Sequence, residues 1–236
     1  MDPVRIDRQD FLANYWDYTP GEHTTFLGPT GSGKTQMKWQ LLAYTATPKH
    51  PAIVLATKPK DVTTSRWMRY LQYEMTRGWP PPWNPSRLTR GKPAGRVLWP
   101  RHSFDPDIDE KKHPEIIRRA ILDLYRKGDQ MLDVDEVLDL VDMKLEKVMR
   151  TVWTRGRSMK LGFWAGTQQP FHVPTHMYRQ AEHLFIAKDP DRRSRERYDE
   201  IGGVDSGLVR EWVMSLRKFE FLYLRRTGPE VAVIGK

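Results

Sequence analysis

The sequence predicts an α/β fold with a mostly parallel sheet flanked by helices. Short runs rich in β-branched and aromatic residues alternate with helical patterns, which is the order of a sheet joined by crossover helices. The run AIVLAT at 52–57 is almost wholly apolar, as expected for a strand covered on both faces. A length of 236 residues suits one large domain, so we predict a single domain over residues 1–236.

The first half of the chain contains one unusual segment among its strands and helices. Residues 80–114 hold eight of the 18 prolines, so we predict an irregular excursion there. The elements expected around it are an irregular lead-in segment at 1–22, strands at 23–27, 52–57 and 96–99, a helix at 35–46, and a helix carrying Trp67, Tyr70 and Leu71.

The second half begins with the clearest helix. We expect it to open at Pro114, because apolar residues recur on one face as far as Tyr125 and Gly128 stands where a C-terminal cap belongs. The elements expected after it are strands at 131–135, 161–166 and 183–188, helices at 143–154 and 206–216, a short helix before residue 183, and a closing hairpin of 220–225 and 230–234 with its turn at Thr227–Gly228.

Composition restricts the classes of partner and chemistry. Lysine and arginine outnumber acidic residues by 39 to 30, a net charge of +9, which favours a polyanionic partner such as nucleic acid. The absence of cysteine excludes disulfides, thiolate metal sites and cysteine nucleophiles. No apolar run approaches the roughly 20 residues that span a bilayer. The N-terminus MDPVRIDRQD is charged, so we expect a cytoplasmic protein without direct membrane insertion.

The segment GPTGSGKT at 28–35 matches the phosphate-binding pattern G-x-x-x-x-G-K-[ST] in full. Its glycines let successive backbone N–H groups converge on phosphate oxygens, and the following helix directs its positive end at the same point. We expect Lys34 to neutralise the β- and γ-phosphates and the Thr35 hydroxyl to ligate Mg²⁺. The residues predicted to bind ATP are Gly28, Pro29, Thr30, Gly31, Ser32, Gly33, Lys34 and Thr35.

The acidic strand end MLDVDE at 131–136 supplies the carboxylates that ATP hydrolysis requires. We predict that Asp135 holds Mg²⁺ through water and that Glu136 polarises the attacking water. Asp133 interrupts the apolar strand and leaves a second register open, in which Asp133 takes the role on the metal side. The sequence therefore predicts an ATPase with ATP and Mg²⁺ as cofactors.

Further segments resemble the FtsK/HerA superfamily of DNA-translocating P-loop ATPases. The segment DEVLDL beginning at Asp135 is similar to that family's acidic motif, and LGFWAGTQQP at 161–170 is similar to its strand ending in T-Q-x-P. Arg157 lies ten residues before Thr167, a spacing similar to the family's arginine ahead of that strand.

The resemblance covers almost the whole chain but departs from the family at one position. Lys58-Pro59-Lys60 follows the second strand where FtsK-like members have D-P-K, so Lys58 takes the place of an aspartate. The segment FEFLYL at 219–224 resembles the closing strand of the family. Together the similar segments span about residues 24–225.

The resemblance implies a RecA-like P-loop core that forms a homo-oligomeric ring, a pentamer or hexamer, and moves double-stranded DNA through its centre. The minimal viral genome-packaging ATPases are the members that the chain resembles most. That resemblance implies a capsid or portal component as docking partner, and a place in an infected host cell or in the virion. Two alternatives stay open, a conjugation or repair translocase of the same superfamily and a small P-loop nucleotide kinase.

One glutamine and several arginines are further candidates for catalysis. Gln168, at the end of its strand, is expected to hydrogen-bond the γ-phosphate or the attacking water and to report the nucleotide state to the DNA side. Ring ATPases complete the site with an arginine from the neighbouring subunit. We expect Arg157 to take this role, with Arg155 as the second candidate and Arg192 and Arg193 as another pair.

Basic, aromatic and histidine side chains give weaker signals. Trp16 or Tyr18 is a candidate for stacking on adenine. His172 and His176 have metal-ligand spacing, but Pro174 between them disfavours the helix that would align them, and we predict no protein-bound zinc. The basic clusters expected to touch DNA phosphates are Arg192, Arg193, Arg195 and Arg197, and Arg87, Arg90 and Lys92.

Overall fold

The computed structural model describes residues 2–82, 91–201, 204–227 and 230–235. These residues form a ten-stranded sheet with helices packed on it. In chain order the strands are β1 Val4–Ile6, β2 Thr24–Leu27, β3 Ala52–Leu55, β4 Glu74–Thr76, β5 Gly95–Leu98, β6 Gln130–Val134, β7 Leu161–Thr167, β8 His183–Ala187, β9 Phe221–Arg225 and β10 Glu230–Ile234. The helices are α1 Arg8–Asp10, α2 Lys34–Thr45, α3 Val62–Tyr70, α4 Pro106–Lys127, α5 Val137–Asp142, α6 Glu146–Arg155, α7 His176–Arg179, α8 Arg192–Glu196 and α9 Ser206–Ser215.

The sheet is mostly parallel, which confirms the predicted fold class. Its strand order is β1-β10-β9-β8-β2-β7-β6-β3-β5-β4. Among the strands described, β9 alone runs antiparallel to its neighbours, β8 and β10. The carboxyl ends of β2, β7, β8, β6 and β3 therefore meet at one edge of the sheet. Ligand sites of open α/β sheets lie at that edge, where neighbouring crossovers separate.

The central strands are buried on both faces because their two side-chain sets enter two different cores. Ile53 and Leu55 of β3 contribute to the core that also holds the apolar face of α4. Ala52 and Val54 of the same strand contribute to a second core, together with residues of α2 such as Met37. Alternate residues of a strand point to opposite faces, so a near-continuous apolar run is what this position requires.

The longest helix begins eight residues earlier than predicted. It starts at Pro106 rather than Pro114, and the Asp105 side chain caps it by accepting a hydrogen bond from the backbone N–H of Asp107. Pro106 follows the capping residue Asp105 as the first residue of the helix, and Pro114 is accommodated inside the helix. The predicted irregular excursion at 80–114 therefore contains β5 and the first turns of α4, while its residues 83–90 lie outside the described part of the chain.

Two other segments also differ from prediction. The lead-in segment at 1–22 contains β1, whose Val4 pairs with Ala232 of β10, and a π-helical turn at Phe11–Tyr15. A three-residue strand is too short to show a periodicity, so the pattern gave no signal for it. The helix predicted at 143–154 is present as α6, which begins three residues later than predicted, and the short helix α5 that precedes it was not predicted. Lys144 between the two helices adopts a left-handed φ of 59°.

The remaining elements confirm the prediction to within about two residues at each end. The closing hairpin is present, with β9 and β10 paired antiparallel from Phe221↔Ile234 to Arg225↔Glu230. Gly228 of its predicted turn lies outside the described residues. Gly128 forms the predicted C-terminal cap of α4, with a φ of 66°. No helix among the described residues combines the length and apolar character that crossing a bilayer needs.

Candidate functional site

The phosphate loop lies at the centre of the carboxyl edge of the sheet. Gly28 follows β2 directly, and its backbone N–H donates to the carbonyl of Thr167 at the end of β7, 3.3 Å away. A Cβ added at Gly28 would lie 2.7 Å from the Cβ of Ala187, the last residue of β8. The loop is therefore held between the ends of the two strands that flank β2, and only glycine leaves room for the contact with β8.

The loop has the backbone conformation that a phosphate cradle requires. Gly31 and Gly33 adopt left-handed φ angles of 77° and 95°, which residues with a Cβ rarely adopt. Gly33 also precedes α2 without a side-chain cap, so the first N–H groups of that helix stay available to an anion. The Ser32 hydroxyl oxygen is buried without a hydrogen-bond partner in the part of the chain that the structure describes. These unused donors fit the phosphates of ATP.

Lys34, the first residue of α2, points its side chain back over the loop. Its Nζ donates to the carbonyls of Gly28 and Pro29, the latter at 3.1 Å. Burial lowers the pKa of Lys34 to about 8, although the carboxylates of Glu136 and Asp135 oppose that shift. A buried ammonium at this position gains strongly from a nearby triphosphate, because the phosphate charge compensates for the lost solvation.

Thr35 and Asp135 meet as a magnesium site of this type requires. The Thr35 hydroxyl donates to Asp135 Oδ1 at 2.8 Å. Lys58 Nζ lies 3.0 Å from Asp135 Oδ2, and Lys38 Nζ lies 3.3 Å from Oδ1. Burial alone would raise the pKa of Asp135, but Lys38 and Lys58 outweigh it and hold the pKa well below its usual range. A permanently ionised carboxylate beside a hydroxyl is a suitable pair of ligands for Mg²⁺.

Asp133 has a different role from the one that the alternative register gave it. Its side chain is 2% exposed and lies 3.0 Å from the Nζ of Lys38, which is 1% exposed. Lys38 also donates to the carbonyl of Val134 at 3.0 Å. Burial alone would lower the pKa of Lys38, but Asp133 and Asp135 outweigh it and raise the pKa. The geometry therefore favours Asp135 on the metal side and makes Asp133 the internal partner of Lys38.

Lys38 and Lys58 are site residues that the sequence analysis did not identify. Lys38 lies one turn after Lys34 on α2, on the face that packs against β6. The available signal was Asp133 itself, because a carboxylate in an apolar buried strand needs a positive partner. Lys58 stands where the family pattern has an aspartate, and a charge reversal beside a metal ligand was the signal there.

Glu136 and Gln168 are in direct contact with each other beside the phosphate loop. Glu136 Oε2 accepts a hydrogen bond from the backbone N–H of Gln168 at 3.0 Å. The Gln168 side-chain oxygen accepts from the hydroxyl of Thr30 in the phosphate loop. Burial raises the pKa of Glu136, while hydrogen bonds from Thr167 and Gln168 act against that shift. A desolvated carboxylate is a stronger base than an exposed one, which suits the handling of a water molecule.

The two pairs of candidate arginines lie at opposite edges of the sheet. Arg155 ends α6 and Arg157 lies in the 3₁₀ turn Gly156–Met159, so both precede β7, whereas the phosphate loop adjoins its other end. Seven strand residues span about 20 Å, so neither arginine belongs to the phosphate loop of its own chain. Arg192 and Arg193 begin α8 after β8, at the edge that holds the loop. The side chains of all four are exposed.

Trp16 and Tyr18, the candidates for stacking on adenine, both make contacts within the chain. Trp16 donates from Nε1 to the hydroxyl of Thr45, the last residue of α2, and Tyr18 packs on Trp164. Trp16 therefore lies about a helix length, roughly 18 Å, from the phosphate loop. Tyr18 packs within the chain, so the structure gives no support to stacking of either ring on adenine.

Only some side chains of the predicted basic clusters are available to contact DNA phosphates. Arg197 is paired with Glu200 at 2.5 Å and lies over the ring of Tyr178, so it is committed within the chain. Lys92 is exposed, while Arg87 and Arg90 lie outside the described residues.

Comparison with known proteins supports the fold. No protein-family model matches the chain, and no curated protein matches it in sequence. The DNA-packaging ATPase B204 from Sulfolobus Turreted Icosahedral Virus is 14% identical with a TM-score of 0.62, and the match covers 92% of this chain and 98% of that one. The genome packaging NTPase B204 from Sulfolobus turreted icosahedral virus 2, in complex with ATP-γS, is 16% identical with a TM-score of 0.63 and the same coverage.

A third solved structure matches over the full chain. VirB4 of Thermoanaerobacter pseudethanolicus is 12% identical with a TM-score of 0.68, covering 100% of this chain and 96% of that one. Identities this low establish the fold. The chain therefore has the fold of these ATPases, which is the fold that the resemblance of its motifs predicted.

Proposed function

We propose that this chain hydrolyses ATP to move double-stranded DNA, as the subunit of a homo-oligomeric ring that packages a viral genome. The observation that carries the proposal is the convergence of Lys34, Thr35, Asp135, Glu136 and Gln168 on one edge of the sheet. Two neighbours in fold are described as packaging enzymes and match over nearly their whole length.

The site fits MgATP through residues of this chain alone. The N–H groups at the start of α2 and the Ser32 hydroxyl receive the phosphates, and Lys34 turns from the loop carbonyls towards the β- and γ-phosphates. Thr35 and Asp135 hold the metal, which when bound neutralises charge as the phosphoryl group is transferred. The Lys58 side chain is 44% exposed, so it is free to leave Asp135 when the site fills, whereas the buried Lys38 is not.

Hydrolysis requires a water molecule placed in line with the γ-phosphate. Glu136 accepts the proton of that water, and its hydrogen bond from Gln168 N keeps the carboxylate oriented. The Gln168 side chain touches Thr30 of the loop, so a change in the phosphates alters a contact of Gln168. Gln168 thereby connects the state of the nucleotide to the segment that follows β7.

A ring explains the position of the exposed arginines before β7. A neighbouring subunit that presents its Arg157, or Arg155, to the phosphates supplies the positive charge that the transition state still lacks. The net charge of +9 and the exposed Arg192 and Arg193 suit contacts with DNA phosphates that do not depend on sequence.

The decisive experiment measures phosphate release from ATP with double-stranded, single-stranded and no DNA, together with displacement of a triplex-forming strand from the duplex. We expect double-stranded DNA to stimulate hydrolysis, and triplex displacement to require ATP and to be lost in Lys34→Ala. ATP-dependent transfer of phosphate to a nucleoside monophosphate, without stimulation by DNA, would instead identify the kinase.

A conjugation or repair translocase of the same superfamily is the second candidate. It is favoured by the fit to VirB4, whose TM-score of 0.68 exceeds that of the packaging enzymes. Both candidates move DNA, so binding to capsid or portal components distinguishes them. We expect a packaging subunit to bind such a component in a pull-down experiment. A conjugation subunit should not bind it.

A further inference from the structure

A second group of metal-binding side chains lies outside the phosphate site. His102 stands in the connection between β5 and α4, and Asp109 and His113 lie one turn apart on α4. One ligand atom of each lies within 4.8 Å of the other two. The three side chains are only 12%, 16% and 6% exposed, so charged and polar atoms converge in a mostly buried place.

The distances in this group do not suit direct hydrogen bonds. His102 Nδ1 lies 3.5 Å from Asp109 Oδ2, and His113 Nε2 lies 3.6 Å from Asp109 Oδ1. Hydrogen bonds between nitrogen and oxygen span about 2.7–3.2 Å, so both pairs are too far apart. Ligand atoms of a tetrahedral zinc ion with bonds of 2.0–2.1 Å lie about 3.3 Å from one another. The two observed separations, one to each carboxylate oxygen of Asp109, are close to that value.

The carboxylate is already oriented by the loop that carries His102. Asp109 Oδ1 accepts from the backbone N–H of Ser103 at 2.9 Å and from its hydroxyl at 2.8 Å. Phe104, next in the chain, adopts a left-handed φ of 65° with its side chain exposed, which turns the loop back towards α4. Hydrogen bonds of this kind to a ligating carboxylate fix its direction and its affinity for a metal.

Within the described part of the chain, His113 has no short hydrogen bond that would compete with a metal ion. The carbonyl of Arg101 lies 3.3 Å from its Nε2, slightly beyond the usual range for a hydrogen bond. The ring of His102 stands almost perpendicular to the ring of His113, at 78° with centroids 4.6 Å apart. Two imidazoles are thus arranged around one carboxylate.

We propose that His102, Asp109 and His113 bind a Zn²⁺ ion that fastens the connection after β5 to the start of α4. Imidazole and carboxylate are a ligand set that zinc accepts, and three protein ligands leave a fourth position for water. The prediction of no protein-bound zinc rested on His172 and His176, where Pro174 disfavours a site. The pair that the fold brings together is a different one.

The position of the ion links it to the ATP site without making it part of that site. A cavity of about 610 Å³ is lined by the three ligands and by Thr57, Lys58 and Asp139. The Thr57 hydroxyl donates to Asp139, and the next residue, Lys58, donates to Asp135. The zinc ion would therefore hold one wall of the cavity that faces the Lys58 segment.

The test uses the full chain without an affinity tag, stripped of metal and kept in excess Mg²⁺ to occupy the oxygen-ligand site. Zn²⁺ is titrated in competition with a chromophoric chelator, and Co²⁺ binding is followed by visible absorption. The variants are His102→Ala and Asp109→Asn, and the matched control is the double variant His172→Ala with His176→Ala. Circular dichroism checks that each variant is folded. His102→Ala alone decides the test if Asp109→Asn does not fold, since Asp109 also accepts hydrogen bonds from Ser103.

We expect one Zn²⁺ per chain, the intense visible bands of tetrahedral Co²⁺, and affinity weakened by roughly 100-fold or more in His102→Ala. The control should bind as the wild type does. Zn²⁺ should raise the melting temperature of the wild type and the control but not of His102→Ala. Zinc affinity that is equal in wild type and His102→Ala, or that is lost only in the control, would overturn the proposal. Lys34→Ala should still bind zinc, so failure of the ATPase proposal leaves this test unaffected.

Discussion

The two ends of β7 are built in opposite ways. At the Thr167 end, the loop, Glu136 and Gln168 are tied together by hydrogen bonds within one chain, and their charges are largely buried. At the Leu161 end, Arg155 and Arg157 are exposed, and neither side chain has an ion pair or hydrogen bond within the described residues. In the ring that we propose, the Thr167 end is a nearly complete binding site and the Leu161 end contacts the neighbouring subunit.

The largest expected effect comes from removing the charge that the Thr167 end provides for phosphates. Lys34→Ala leaves the β- and γ-phosphates in a site with too little positive charge, so ATP affinity should fall by roughly 1000-fold. Calorimetric titration with MgATP measures this, and Lys49→Ala, an exposed lysine just beyond the other end of α2, is the control. Wild-type ATP affinity in Lys34→Ala would contradict the assignment of residues 28–35 as the ATP-binding loop.

A smaller but selective effect is expected at Glu136. The Glu136→Gln variant keeps the shape and loses the proton acceptor, so turnover should fall by roughly 1000-fold while MgATP binding stays within about twofold of wild type. Phosphate release and nucleotide titration together measure both quantities.

The alternative register provides the contrasting variant. Asp133→Asn should lower the melting temperature, because it leaves Lys38 buried without its nearest carboxylate. If Asp133→Asn stops hydrolysis in a folded protein while Glu136→Gln remains active, the assignment of the acidic strand is wrong.

The exposed end of β7 should affect turnover only through the assembly. Arg157→Ala should bind ATP normally yet hydrolyse it roughly 100-fold more slowly, because an arginine that stabilises the departing phosphate is missing. Arg150→Ala, on the exposed face of α6, is the matched control and should leave the rate unchanged.

Mixing experiments show whether the arginine acts between subunits. Arg157→Ala mixed with Lys34→Ala should recover part of the activity, because some interfaces then pair an intact loop with an intact arginine. If the mixture stays inactive, Arg155→Ala is tested in the same way. A fully active monomer would contradict the comparison between the two ends.

The smallest expected effect is a dependence on pH at Lys34. Its pKa is about 8 in the free chain because of burial, and the negative phosphates of ATP favour the charged form. The complex therefore holds a proton that the free chain loses as pH rises above 8. ATP affinity should be constant below about pH 7 and fall by up to about tenfold per pH unit above 8. Calorimetry at pH 9 in buffers of different ionisation enthalpy should detect proton uptake, and its absence would contradict this interpretation.

The local parts of the site were predictable because each is a short continuous motif. The loop at 28–35, the pair Asp135 and Glu136, and Gln168 after β7 are each defined by neighbouring residues in the sequence. Lys38 was missed because its partner Asp133 is 95 positions away, and only the packing of α2 on β6 joins them. The His102, Asp109 and His113 group was missed for a related reason, since a left-handed turn at Phe104 brings His102 back to the helix.

The elements of the fold were also predictable where their sequence pattern is local, and were missed where they depend on distant residues. The central strands were found because burial on both faces imposes a continuous apolar run. β1 pairs with β10 at the far end of the chain, and three residues carry too little pattern to reveal that pairing. Pro106 and Pro114 both satisfy the rule for a helix start, so propensity alone did not decide between them.

The ion pair between Lys38 and Asp133 also constrains how the sequence of such a protein can change over time. Loss of either partner alone leaves a charge enclosed between α2 and β6, whereas an apolar pair of similar volume fills the same space at little cost. The two positions should therefore vary together among relatives, as lysine with a carboxylate or as two apolar residues. Correlated substitution at positions 38 and 133 among relatives would be the evolutionary consequence of this buried contact.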